Sequence, residues 1–146
     1  MSGVAIVRNL LANYAPLLAL LPKEKIFAGH IPQRTALPAI GVSEVYTRPI
    51  RATTRNAATK SSRARIQVTV MTSGNPDTVA GYAQLKSILK AAGLGPGVHT
   101  HIYQGAGFAY NVKAVEDDSI GPEIPPADDK IYEQSRDFMV TFAEPN

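Results

Sequence analysis

Apolar residues along this chain switch between two periods, and the switches mark its elements. Val7, Leu11, Tyr14, Leu18 and Leu21 recur at helical spacing and predict an amphipathic first helix. Pro16 would kink that helix or start a second short turn, and Pro22 would end it. Ile26 and Phe27 open a short strand, and Gly29, Pro32 and Pro38 punctuate the extended stretch after it. Ala39 to Tyr46 reads as a strand with Ile40, Val42 and Tyr46 on one face, although Glu44 falls on that face too. Arg65 to Thr72 alternates most cleanly, with Ile66, Val68 and Val70 to one side and Gln67, Thr69 and Met71 to the other.

The period then returns to 3.6. Ser73 or Asn75 is a candidate cap, Pro76 sits near the first helical position, and a helix is expected over about 77–92. Val79, Tyr82, Ala83, Leu85, Ile88, Leu89 and Ala92 would form its buried side, with Gly93 as its stop. Two further strands follow, Val98 to Gln104 and Phe108 to Val115, joined by a turn at Gly105-Ala106-Gly107. A last strand, Ile131 to Phe142, carries Phe138, Val140 and Phe142 on one face. One helix alone separates strands and the other connections are mostly hairpin-like, which argues against a doubly wound parallel sheet. The expected fold is α+β: an antiparallel sheet of four to five strands with two helices packed on one face, in a single domain spanning 1–146.

Charge changes the picture. The net charge is only +3, but its distribution is uneven. The stretch 47–64 with its neighbour Arg65 holds Arg48, Arg51, Arg55, Lys60, Arg63 and Arg65 and no acid. Its one large aliphatic residue is Ile50, too little apolar surface to offset the entropy of ordering. The expectation is an extended arm with no structure of its own, shaped by a neighbouring subunit or a polyanion; the plainer alternative is a flexible loop kept soluble by charge. Nine of the twelve acids lie in the last 31 residues. Within them 116–130 reads as an acidic, proline-rich surface loop, and Glu116, Asp117, Asp118, Asp128 and Asp129 are candidates to dock a neighbour's basic arm. The competing reading of those acids is a solvated, repulsive surface.

Chemistry is sparse by comparison. The chain lacks a phosphate-binding GxxxxGK[ST], a GxGxxG after a strand and a nucleophile elbow. His99 and His101 share a strand face in this reading and could meet one metal, but no third ligand has fitting spacing; ordinary exposed histidines are the better account, and no metal or cofactor is assigned. His30 reads as structural or exposed. With no cysteine, disulfides and thiolate sites are excluded. The basic arm has no aromatic residue, so any nucleic acid it met would be held by phosphates without base readout. Asn9, Asn13 and Pro16 break the apolar N-terminus, which fits neither a signal peptide nor a membrane span; a soluble protein without membrane contact is expected.

Four features together resemble the tail-completion proteins of tailed bacteriophages, the tail terminator or tail-to-head joining group. They are the apolar N-terminal helix, KIFAGHIPQRTALPAIGVSEV, RIQVTVMTSGNPDTVAGYAQLKSILKAAG and the closing YEQSRDFMVTF. The most specific pieces are Leu37-Pro38-Ala39-Ile40 entering a strand and the strand-to-helix unit from Arg65 to Ala92. The resemblance implies a non-enzymatic virion protein, assembled in the host bacterial cytoplasm. It would form a ring, typically a hexamer, at the head-proximal end of the tail. That ring would contact the tail tube protein and a head-completion or neck protein and let genomic DNA pass. The resemblance would also set Arg48, Arg51, Arg55, Lys60, Arg63 and Arg65 on a lumen or a subunit contact. The rival readings are a head-closure protein, a small DNA-binding protein using the arm, and, more weakly, a hydrolase using His99, His101 and an acid.

Overall fold

The structure, a computed structural model, describes residues 2–50, 59–74, 79–94, 99–105, 108–124 and 130–145. The chain opens with α1 (Ser2–Ala12) and the one-turn α2 (Ala15–Leu18), followed by a 3-10 turn at Lys23–Lys25. Strands β1 (Ile26–Ala28), β2 (Ala39–Ile50) and β3 (Thr59–Ser73) precede α3 (Ala80–Leu94). Strands β4 (His99–Gly105), β5 (Phe108–Ile120) and β6 (Ile131–Pro145) complete the chain. The sheet order is β1-β2-β3-β6-β5-β4. Every pairing is antiparallel except the three-residue β1, which runs parallel to β2. The fold is α+β as expected, with that edge strand making the sheet mixed.

The centre is the β3–β6 ladder, which runs without a register shift from Thr59↔Pro145 to Ser73↔Ile131. Side chains alternate across a strand, so this register gives both strands one apolar face. Ala64, Ile66, Val68 and Val70 on β3 and Phe138, Val140 and Phe142 on β6 are buried there. Helix α1 covers this face with Val4, Ile6, Val7 and Leu11, and α3 adds Leu85, Ile88, Leu89 and Ala92. At Gly3 the helix lies so close that an added Cβ would sit 2.8 Å from Ile66 Cδ1 and 3.1 Å from Ala64 Cβ. Tyr14 starts α2 as its N-cap and Pro16 fills its first turn, so the proline founds a second helix rather than bending the first.

Several expectations change. Tyr46 does not share a face with Ile40 and Val42: the pairing steps from Glu44↔Ile66 to Tyr46↔Arg65, a β-bulge whose extra residue turns the rest of β2 over. The basic arm is not shapeless over 47–50 and 59–64, because these residues pair with each other and β3 also pairs with β6. Counting large aliphatics missed two small buried anchors, Ser62 and Ala64, and the ladder hydrogen bonds. Arg51 and Arg55 lie outside the described residues. The acidic loop does not begin at 116: Glu116 to Ile120 continue β5, because their backbones pair with β6 as far as Ile120↔Arg136. Asp128 and Asp129 lie outside the described residues, as do Asn75 and Pro76.

Helix α3 buries a different stripe from the one expected. Gly81, Leu85, Ile88, Leu89, Ala91, Ala92 and Gly93 are inside, whereas Val79 precedes the helix and is exposed, as are Tyr82 and Ala83. Gly93 does not stop the helix, which runs on to Leu94. Its missing side chain serves packing instead, since a Cβ there would fall on the Arg136 guanidinium.

Phe138 is fully buried at the middle of the covered face. Phe138→Ala is expected to cost about 3–5 kcal/mol of stability, the range for truncating a core phenylalanine. Chemical denaturation followed by circular dichroism measures it, and an unchanged midpoint would mean the side chain is not a core element.

Candidate functional site

Among the described residues no helix lies over the far face of the sheet. Beyond the bulge, β2 and the first half of β3 form a basic ribbon along the sheet, with β3 still paired to β6 on its other side. The bulge sets Tyr46, Arg48 and Ile50 on this open face, opposite Arg65, Arg63 and Ser61. Arg48 and Arg63 are therefore direct cross-strand partners, a like-charge pairing that costs free energy unless an anion lies between. Among the described residues neither has a carboxylate within ion-pair distance. The Arg48 guanidinium lies 5.0 Å from the centroid of the Tyr46 ring, a cation–π contact that holds it over the ribbon.

These residues line a groove of about 420 Å³ whose walls are Tyr46, Arg48, Pro49, Ile50, Arg63, Asp118 and Met139. Two exposed apolar side chains, Tyr46 and Ile50, stand at its β2 side. The free edge of β2 beside it is blunted by the bulge, by Arg48 and by Pro49, which lacks an N–H, so it makes a poor template for another strand.

Arg65 plays a different part. Its Nε and Nη2 both donate to Asp137 Oδ2, at 2.8 and 2.5 Å, and Asp118 Oδ2 lies 3.7 Å from Nη2. The hydrogen bond and charge of Asp137, with a smaller contribution from Asp118, raise the Arg65 pKa above its ordinary value. The Asp137 side chain is 9% exposed and that of Arg65 36%, so the pair ties β3 to β6 while the guanidinium still reaches solvent.

The expected acids divide by face. Glu116 is exposed and opposite Met139, beside the groove. Asp118 lies at a second bulge, between Asp117 and Ser119, and reaches toward Arg65. Asp117 points to the helix side, where its Oδ1 is 3.3 Å from Arg136 Nη2. Of the six basic candidates, Arg48, Arg63 and Arg65 therefore come together on one face. Lys60 is on β3 opposite Glu144 in the register. His99 and His101 are on the edge strand β4, and among the described residues no group of three or more His, Cys, Asp or Glu side chains could hold a metal ion.

Sequence reasoning missed the partners inside the chain. Asp137 is an acid in the middle of a strand, and Arg136 occupies a position of that strand whose neighbours Phe138 and Val140 are core. Arg136 Nη1 donates to the Leu89 carbonyl near the C-terminal end of α3 at 3.3 Å, and its guanidinium lies 5.9 Å from the Phe138 ring. Charged residues interrupting an apolar alternation were the available signal for both.

A third cluster lies at the opposite end of the sheet. Tyr82 Oη donates to Glu123 Oε1 at 2.8 Å, and Lys86 pairs with the same oxygen. Lys86 Nζ also donates to Gln134 Oε1 at 2.6 Å, and Gln134 Nε2 donates to the Gly121 carbonyl at 2.9 Å. The Lys86 and Tyr82 hydrogen bonds hold the Glu123 carboxyl below its ordinary range, and the bond to Glu123 raises the Tyr82 phenol. A carboxyl with a lowered pKa supports the fold above its unfolded value, and that support is lost as pH falls through the folded value. The Ile124 amide, which donates to the Glu133 carbonyl at 2.8 Å, should keep its hydrogen-exchange protection at neutral pH. Protection should fall as pH drops below the usual glutamate value of about 4.3. Glu123→Gln should flatten that dependence in exchange measurements; an identical pH profile in the variant would show that Glu123 does not hold the loop.

The family model described as tail completion protein gp17 matches residues 5–110. A solved chain from a structure titled "Virion of native gene transfer agent (GTA) particle" superposes with a TM-score of 0.66 at 14% identity. The match covers 96% of this chain and 93% of that one. No curated protein matches the sequence. Among the described residues no helix is long and apolar enough to cross a membrane.

Proposed function

This chain belongs to the tail completion protein gp17 family, and from that premise we propose that its copies close into a ring, a hexamer, at the head-proximal end of a phage tail. As a member of that family it is a structural protein of the virion tail that assembles with other tail and head proteins. The proposed ring terminates the tail tube, presents a surface for head attachment and leaves a lumen through which DNA passes. It works by geometry, with no chemical step.

The observation that carries this reading is the lopsided molecule. One face of the sheet is sealed by helices, while the other is open and bears a basic ribbon with Arg48 and Arg63 unpaired by any described carboxylate. The acids are concentrated in the last 31 residues. A ring needs one patch that meets a different patch on the next copy, and opposite charge on two regions of one chain supplies such a pair. On this reading the ribbon, with Arg51, Arg55 and Lys60, faces the adjoining subunit or the lumen. Asp128 and Asp129 belong to the acidic counterpart, whereas Asp118 lines the basic groove itself and Glu116 lies beside it.

Native mass spectrometry and electron microscopy of the chain, alone and on tail tubes, test the ring. A closed oligomer on tube ends is expected; monomers under both conditions would overturn the proposal. Replacing 51–58 by a short Gly-Ser turn removes Arg51 and Arg55 while sparing the buried Ser62 and Ala64. The variant should keep its thermal transition and lose assembly. Retained assembly would remove those two arginines from the contact.

A further inference from the structure

The register fixes the order of charges along the helix-free face. Arg48↔Arg63 continues across the sheet to Thr141 and Ala114, so no acid of β6 or β5 stands level with the two arginines. The next level is Tyr46↔Arg65, Met139 and Glu116, and there the chain meets its own guanidinium through Asp137 and Asp118. The level on the other side is Ile50↔Ser61. Along the strands the groove therefore runs from an apolar end at Ile50, through an arginine pair, to an acidic end at Asp118 with Glu116 beside it. Neither arginine has a carboxylate within ion-pair distance among the described residues, and Glu116 has no basic partner among them.

A segment that matches this order carries apolar residues, then two acids, then a base. Two adjacent acids between an apolar run and a base occur once in the chain, at Pro125-Pro126-Ala127-Asp128-Asp129-Lys130. We infer that this segment of the adjoining copy is the occupant of the groove: Asp128 and Asp129 meet Arg48 and Arg63, the prolines lie toward Ile50, and Lys130 lies toward Glu116 and Asp118. This rests on the ring reading and assigns the contact that closes the ring. Carboxylates on guanidiniums make charge-assisted hydrogen bonds, and they relieve the repulsion between the facing arginines. Proline fixes φ, so a Pro-Pro run has little backbone freedom left to lose on docking.

A copy cannot fill its own groove. Ile124 bridges to Glu133, and Lys130 precedes the Ile131↔Ser73 pair, so both ends of the segment are held at the start of β6. The arginine level is at Thr141, eight positions beyond Glu133 and roughly 27 Å away at about 3.4 Å per residue. Asp128 is two residues from Lys130 and stays within about 7 Å of it. DNA fits the groove less well. A duplex carries a charge for about every 1.7 Å of its axis, so it would meet Asp118 and Glu116 as well as the arginines. The apolar lining also does nothing for phosphates.

Two measurements test the contact. A labelled peptide of residues 121–130 is titrated into the full chain and followed by fluorescence anisotropy. Binding should weaken about tenfold or more with Arg48→Glu plus Arg63→Glu in the chain, and equally with Asp128→Asn plus Asp129→Asn in the peptide. No binding at millimolar peptide, or unchanged affinity of the Asn peptide, would overturn the inference. Tighter binding of duplex DNA than of peptide, lost in the same arginine variant, would make the groove a nucleic-acid site and also overturn it. In the second measurement, charge is exchanged within the full chain. Arg48→Glu plus Arg63→Glu, and separately Asp128→Arg plus Asp129→Arg, should keep the thermal transition and lose rings on tail tubes. The chain carrying all four changes should regain rings by electron microscopy. Rings that survive either reversal, or that the combination fails to restore, would overturn the inference while leaving the ring reading in place. Absence of rings from the unmodified chain, with the peptide still bound, would remove the ring reading and leave the acidic segment as the ligand of the groove.

Discussion

The unbroken register between β3 and β6 is the constraint on which the molecule depends. Fifteen residues of each strand pair without a slip, so the alternation that buries Ile66 against Phe138 also decides which arginines reach solvent. Odd positions of both strands form one continuous open face, and even positions form the floor under α1 and α3. The flanking strands cannot alternate so strictly, and their bulges absorb the difference. On β5 the shift between Val112 and Ala114 keeps Val112 and Val115 both buried although they are three residues apart. On β2 the shift after Glu44 ends the core contribution and starts the ribbon. Core and surface are therefore two readings of a single ladder.

Much of the fold is legible from alternation because β3 and β6 are regular: Ile66, Val68 and Val70, and likewise Phe138, Val140 and Phe142, face inward as their period requires. The helix after β3 is legible from its 3.6 period, and Pro16, which the sequence left as a kink or a second turn, starts α2. What alternation could not show is where it breaks. A bulge has no composition signal at Val45, so Tyr46 is assigned to the wrong side. Glu44, an acid at an inward-facing position just before the bulge, was the visible clue. The extension of β5 through Glu116 to Ile120 was hidden because charge and nearby prolines resemble a loop, whereas backbone pairing with a long partner strand is indifferent to side-chain charge.

The candidate site was legible as composition and not as geometry. Counting arginines treats them as equivalent, yet their positions on two faces and at two depths divide them. Arg65 is held by Asp137, an acid nearly out of solvent, and removing Arg65 would leave that carboxylate's charge unmet. Arg136 lies under the last turn of α3, where helix carbonyls favour a cation, and the missing Cβ of Gly93 makes room for it. Among the described residues Arg48 and Arg63 face each other with no carboxylate in ion-pair distance. Arg65 and Arg136 are bonded within the fold, a distinction that only pairing register and burial reveal.

The extra residue at the β2 bulge has one further consequence. Deleting Val45 would leave Glu44↔Ile66 followed directly by Tyr46↔Arg65, a regular ladder in which Tyr46, Arg48 and Ile50 still face outward and Ile40↔Val70 and Val42↔Val68 stay in place. Cross-strand partners rather than residue count therefore decide what the strand displays, and a lost codon at that point changes the local twist alone.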